Sequence, residues 1–138
     1  MTQTRRLLLS LLLCALAAPA FASEGGEKKE GGEPYVKLAP VALPVTDNGR
    51  LINYLFVTLR INLTPKADVN ALRLKEPYFR DALIRAAHKQ SFALPNKRDK
   101  LDEARFKQVM IPEFTKIAGA GNIAALEILA QNPKKSMN

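Results

Sequence analysis

Cysteine is nearly missing from this chain and tryptophan is missing altogether: the 138 residues hold one Cys, one His and no Trp. The one cysteine, Cys14, lies in a leucine-rich N-terminal run ahead of a cleavage pattern, so the processed chain is expected to carry none. That excludes a disulfide framework, a thiolate nucleophile and a Cys-based metal site. The lone histidine, His88, falls on the polar face of an expected helix and has no neighbouring ligands to complete a metal set. No serine lies in a Gly-x-Ser-x-Gly setting, and Gly119-Ala120-Gly121 lacks the strand, lysine and helix of a phosphate loop. Asp99, Asp102 and Glu103 gather where a helix is expected to begin, and the helix dipole accounts for them. The composition describes a non-enzymatic protein with no cofactor and no metal.

Long apolar runs are equally scarce, with one exception at the start. Arg5 and Arg6 precede an apolar stretch from Leu7 to about Ala22 that closes on Ala20-Phe21-Ala22. A positive n-region, an apolar core and a small-x-small site make a secretory signal cut before Ser23. Residues 1–22 are therefore expected to be a signal peptide, and the protein periplasmic. The alternative, an uncleaved inner-membrane anchor, wants about 20 apolar residues, and Pro19 interrupts the run. Loss of the two signal arginines lowers the formal charge from +8 to about +6. A basic surface suits anionic lipid head groups, an acidic partner or cell-wall polymer, so contact with a membrane surface is admitted. Nucleic acid is not expected for an exported chain without an aromatic-rich basic patch.

Residues 23–33, SEGGEKKEGGE, have no aliphatic side chain to bury and are expected to be a flexible tether. Order is expected over 34–132, with a short polar tail at 133–138. In PYVKLAPVALPV the alternation slips at Pro40: Val36 and Leu38 share one face, and Val41, Leu43 and Val45 another. A bulge there would bring both sets to one side. Asp47-Asn48-Gly49 signals a tight turn. LINYLFVTLRINL then places Leu51, Leu55, Val57, Leu59, Ile61 and Leu63 on odd positions, the period of two of a half-buried strand.

Beyond Pro65 the period becomes helical. Leu72, Phe79, Leu83, Ala86 and Ala87 line one face, with Asp81, Arg85 and His88 opposite. Pro77 fits the first turn of a helix, or else a break between a short helix ending at Lys75 and a longer one. Residues 95–99, PNKRD, are expected to form a basic loop with Asp99 as N-cap. Phe106, Met110, Phe114 and Ile117 give a second helical stripe, which Gly119 and Gly121 end. NIAALEILAQNP is expected to be a buried strand. The fold class is α+β: a small antiparallel sheet, made of a long hairpin plus a C-terminal strand, packed against two helices.

The order of these elements and particular residues within them resemble the FliL family of flagellar basal-body proteins. The likeness runs from about Tyr35 to Gln131. It is carried by PYVKLAPVALPVTDNGRLINYLFVTLRINL, by PYFRDALIRA with Pro77, Arg80 and Asp81, and by the closing IAALEILAQ. It implies a periplasmic domain with a stomatin-like fold that supports the motor, with flagellar stator or basal-body proteins as partners and with self-association. Members of that family keep an uncleaved membrane helix, whereas the apolar run here looks short and cleavable, as in a soluble relative. Asp81 and Arg85 read either as a solvated ion pair or as part of a subunit or partner contact. Arg80, Lys97 and Arg98 are the stronger choices for an acidic partner.

Overall fold

The computed structural model describes residues 32–134. The expected signal peptide and most of the tether lie outside the described residues, as do the last residues of the tail. Three strands form one antiparallel sheet in the order β1-β2-β5: β1 is Tyr35–Asp47, β2 is Arg50–Leu63 and β5 is Ile123–Pro133. Helix α1 (Val69–Leu74) and helix α2 (Glu76–Lys89) follow β2, and a two-stranded ribbon of β3 (Ala93–Leu94) and β4 (Lys97–Leu101) leads into α3 (Glu103–Ala118). This is the expected α+β arrangement.

The β1–β2 hairpin turns at Asn48 (φ 47°) and Gly49 (φ 76°). Two successive positive φ values give the type I′ geometry, whose twist matches that of the flanking strands. The slip in alternation at Pro40 is resolved by a register shift between Leu38 and Val41. As a result Val36, Leu38, Val41, Leu43 and Val45 are all buried on one side. Pro40 itself sits in the bulge, where no ladder hydrogen bond is lost.

The odd positions of β2 from Leu55 to Leu63 face the same core and are essentially inaccessible. Leu51 departs from expectation: it is 51% exposed. The third strand explains this, because β5 pairs with β2 only from Leu63 back to Leu55, so the hairpin end projects beyond the three-stranded part.

Helices α2 and α3 supply the other half of the core. Phe79, Leu83, Ala86 and Ala87 are buried on α2, and Phe106, Met110 and Phe114 on α3. Edge-to-face aromatic pairs fix the layers: Phe79 on Phe114 at 5.5 Å, and Phe92 on Phe106 at 5.1 Å. Such pairs contribute roughly 0.5–1.5 kcal/mol beyond burial.

Both readings of Pro77 hold together. It occupies the first turn of α2, while Lys75 (φ −88°, ψ 4°) breaks the chain from α1. A proline there cannot donate back into α1, so the hydrogen-bond run of α1 is not carried into α2.

Two expectations need correction. Residues 95–99 are not simply a loop: Lys97 begins β4, which pairs back on β3, and the N-cap of α3 is Asp102, whose side chain accepts from the Arg105 N–H at 3.1 Å. Ribbon geometry absorbs Asp99 and displaces the cap to the next carboxylate that precedes helical backbone. Nor is β5 a buried strand. Only Leu126 is fully buried in it, and Ala124, Ala125, Leu129 and Ala130 are exposed, because the strand stands at the sheet's edge.

Helix α3 ends at Gly119 (φ 92°), a conformation that favours glycine. Its last carbonyls are satisfied by Lys75 Nζ on Ile117 O at 3.1 Å, Asn122 Nδ2 on Ala118 O at 2.6 Å, and the Gly119 N–H on Thr115 O at 2.8 Å.

Candidate interaction surface

The helices lie on one face of the sheet, so the even positions of β2 and their neighbours are left on the other. Register places Ala42 and Asn132 on either side of Phe56, Pro44 beside Tyr54, and Ala130 beside Thr58. Phe56 is 41% exposed and Leu129 likewise 41%. Leu129 is the residue that the shift between Thr58 and Leu59 leaves unopposed, a bulge that turns it out of the ladder. This half of the open face is largely apolar around Phe56, with Thr58 and Asn132 as its polar members.

The other half is polar and tied together. Arg60 lies between Lys37 and Glu127, and its guanidinium sits 5.4 Å from the centre of the Tyr35 ring. Arg60 Nε donates to Glu127 Oε2 at 3.0 Å, Arg60 Nη2 donates to the same oxygen, and Asn62 Nδ2 approaches it at 3.5 Å. The hydrogen bonds from Arg60 hold the Glu127 carboxyl below its usual range, partly opposed by desolvation.

The residues singled out from sequence fall in two separate places. On α2, Arg80 turns to Glu76, with Nη2 to Oε1 at 2.9 Å, and not to its neighbour Asp81. Asp81 instead pairs with Arg85 at 3.0 Å on the exposed side of the helix. Exposed i,i+4 pairs of this kind contribute a few tenths of a kcal/mol.

On the ribbon, Arg98 is engaged internally. Its Nη2 meets Asp47 Oδ1 at 2.9 Å, Nη1 donates to Thr46 O at 3.2 Å and Nε to Pro95 O at 2.9 Å. It thereby fastens the β3–β4 ribbon to the end of the β1–β2 hairpin. Lys97, next to it, is exposed. Of the five, then, Arg98 fastens the ribbon to the hairpin, Arg80 is taken up by Glu76 within its own helix, and Asp81, Arg85 and Lys97 stand at the surface.

A shallow cleft of about 490 Å³ between α2 and α3 is lined by Arg85, Lys89, Gln90, Val109 and Glu113 among others. Lys116 hydrogen-bonds Glu113 at 2.7 Å and lowers its carboxyl's affinity for protons, with Lys89 and Arg85 adding to the effect. The cleft thus holds the Glu113 carboxylate, paired with Lys116, beside Lys89 and Arg85. His88 is exposed, with Nδ1 2.8 Å from Ile84 O. Among the described residues no three acidic or histidine side chains converge as metal ligands, and no helix is long and apolar enough to cross a membrane.

Alternation along β2 puts Tyr54, Phe56, Thr58, Arg60 and Asn62 on its half-polar outward face, as the structure has them. Tyr54 and Phe56 stood among the polar positions of β2, which was the available signal, but the identity of their neighbours needed the strand register. The Arg60–Glu127 pair, 67 residues apart, needed it equally. No protein-family model matches the chain, and no curated protein matches it.

Proposed function

We propose that this chain is a non-enzymatic interaction protein of the periplasm that associates with the flagellar basal body or stator and supports motor function. The family label rests on the resemblance of Tyr35–Gln131 to FliL proteins. The observation that carries an interaction role is the uncovered sheet face, where Phe56 and Leu129 stand exposed beside Ala42 and Ala130. Adjoining apolar side chains on a rigid sheet, bordered by the tied Arg60–Glu127 ladder, have the make-up of a protein-docking patch with a polar rim.

Swimming of a deletion strain in soft agar, with flagella counted by microscopy, tests the motor role. Flagella in normal number with weakened swimming, restored by the wild-type gene and not by Phe56→Asp, is the expected result. Normal swimming of the deletion strain sinks it.

A second reading has its own observation. At the hairpin end Leu51 is 51% and Ile52 49% exposed, next to exposed Arg50 and, across the Arg98 fastening, exposed Lys97. Apolar side chains flanked by cations suit an envelope scaffold that meets anionic lipid or cell-wall polymer. That reading expects binding to anionic vesicles or polymer that falls steeply with salt, and Leu51→Ser/Ile52→Ser to weaken it.

A further inference from the structure

The end of the β1–β2 hairpin breaks the division of faces that holds along the rest of β2. Leu51 follows the odd positions onto the helix side, and Ile52 follows the even positions onto the open side. Pairing with β5 stops at Leu55, so the third strand covers neither residue, and they are 51% and 49% exposed. The ribbon therefore ends in an aliphatic side chain on each face, beside the Asn48-Gly49 turn. Cations surround this end. Arg50 directly precedes Leu51, and Lys97 is held nearby by the fastening of Arg98 to Asp47. Lys134 is set beside Tyr54, whose carbonyl accepts the Lys134 N–H at 2.8 Å. All three are exposed. The acidic groups here are Asp47, paired with Arg98, and Asp99, followed in β4 by Lys100. Positive charge is in excess.

We infer that the hairpin end is a membrane-surface contact: Leu51 and Ile52 enter the boundary between head groups and acyl chains of an anionic bilayer, while Arg50, Lys97 and Lys134 meet its phosphates. The inference rests on the envelope reading and chooses one of its two ligands. The excess of cations calls for an anionic surface. The two aliphatic side chains select lipid. A cell-wall polymer is hydrated and offers no apolar phase, so it would leave Leu51 and Ile52 in water. A flat protein surface would cover one face of the ribbon and leave the other bare. A fluid head-group boundary closes round the end of the ribbon and takes up both sides at once. The long stems of arginine and lysine suit the same place, because they lie along apolar surface and keep their charge in the head-group layer. Depth is limited. Phe56 lies four residues beyond Ile52, about 13 Å along the strand, further than the roughly 5–10 Å to which interfacial side chains sink. The open face around Phe56 thus stays clear of the lipid.

The test is co-sedimentation of the protein, isolated as the cell produces it, with phosphatidylcholine vesicles that contain or lack about one-third phosphatidylglycerol. Wild type is expected to bind the anionic vesicles, less as salt rises, and not the neutral ones. Leu51→Ser/Ile52→Ser gives up the burial of about half of each of two aliphatic side chains, and is expected to lower partitioning by about tenfold or more. Arg50→Gln is expected to lower it by about fivefold. Leu74→Ser, at an 81% exposed leucine on α1, is expected to change nothing. Thermal unfolding followed by circular dichroism shows whether each variant is folded. The chain has no tryptophan, so Leu51→Trp supplies a single reporter. Its emission is expected to shift to the blue on anionic vesicles, and that of Phe56→Trp to stay, which decides the matter even if the double variant fails to fold. Wild type that ignores anionic vesicles, binding indifferent to Leu51→Ser/Ile52→Ser, or an unshifted Leu51→Trp emission overturns the inference. If wild type then pellets with purified cell-wall polymer, the inference falls and the envelope reading stands; if it binds neither, both fall. Motility data bear on the flagellar reading alone.

Discussion

Strand β2 shows two regions of the molecule side by side, since its alternate residues serve different ends. Leu55, Val57, Leu59, Ile61 and Leu63 face the helices and are almost inaccessible, whereas Tyr54, Phe56, Thr58, Arg60 and Asn62 face the uncovered side. One period of two thus carries both the fold's main apolar surface and its main candidate contact surface. The lesson is that in a thin α+β domain, stability and recognition can be separated residue by residue along a single strand. Changes on one set should unfold the protein, and changes on the other should leave it folded but alter what it binds.

The largest expected effect breaks the core side. Leu59→Ala removes a fully buried side chain between the sheet and its helices and should cost about 3 kcal/mol, as a lost transfer term plus a cavity term. Urea unfolding monitored by circular dichroism gives the number. A loss below about 1 kcal/mol would mean that the site collapses around the deletion, and the covered face would not be close-packed as described. An intermediate effect is expected at the helix start. Asp102→Ala leaves the Arg105 N–H without its side-chain acceptor and should cost about 1 kcal/mol by the same measurement. The same substitution at Asp99, which the sequence made the cap, should fall within about 0.5 kcal/mol.

Phe56→Ser sharpens the comparison, because it changes the residue three positions before Leu59 on the opposite face. Stability should move by no more than about 0.5 to 1 kcal/mol, since the ring is already partly in water. Function in soft agar should fall all the same. If Phe56→Ser instead unfolds the protein as readily as Leu59→Ala, the two faces of β2 are not distinct, and the docking patch loses its basis.

How far the residues themselves foretold this picture depends on the range of the interaction. The buried side of β2, the bulge at Pro40, the type I′ turn at Asn48-Gly49 and the stripes of α2 and α3 follow from local alternation, helical period and turn chemistry, and all were legible. The status of β5 was not. Its apolar content is that of a buried strand, and only the order β1-β2-β5 reveals that the aliphatic residues lie at an edge. Arg98 shows the same dependence on long range: a basic loop reads as a surface for acidic partners, and only the folded chain brings this guanidinium onto Asp47 and Thr46. Arg80 likewise had an acidic neighbour in sequence, but on a helix the residue four positions back, Glu76, lies on its own face and Asp81 does not. Where a side chain's partner is three or four residues away, spacing finds it; where it lies across a sheet, register must.

The smallest expected effect concerns the ladder at the polar end of the open face. Arg60 hydrogen-bonds the Glu127 carboxylate and lowers its folded-state pKa below the ordinary value. A depressed carboxyl pKa means that the folded state favours the charged form more than the unfolded chain does. Its contribution to stability is therefore fully present above the unfolded value, and fades as pH falls through the folded one. Both groups are partly exposed, so solvent and salt screen the pair and the contribution is slight. Glu127→Gln should leave the melting temperature at pH 7 a little lower and remove part of the wild type's loss between neutral and acid pH, so that the two curves converge below the carboxylate range. High salt at pH 7 should narrow the same gap. Curves that stay parallel down to acid pH would show that the carboxylate, though in hydrogen-bond range of Arg60, is no more stable ionised in the folded protein than outside it.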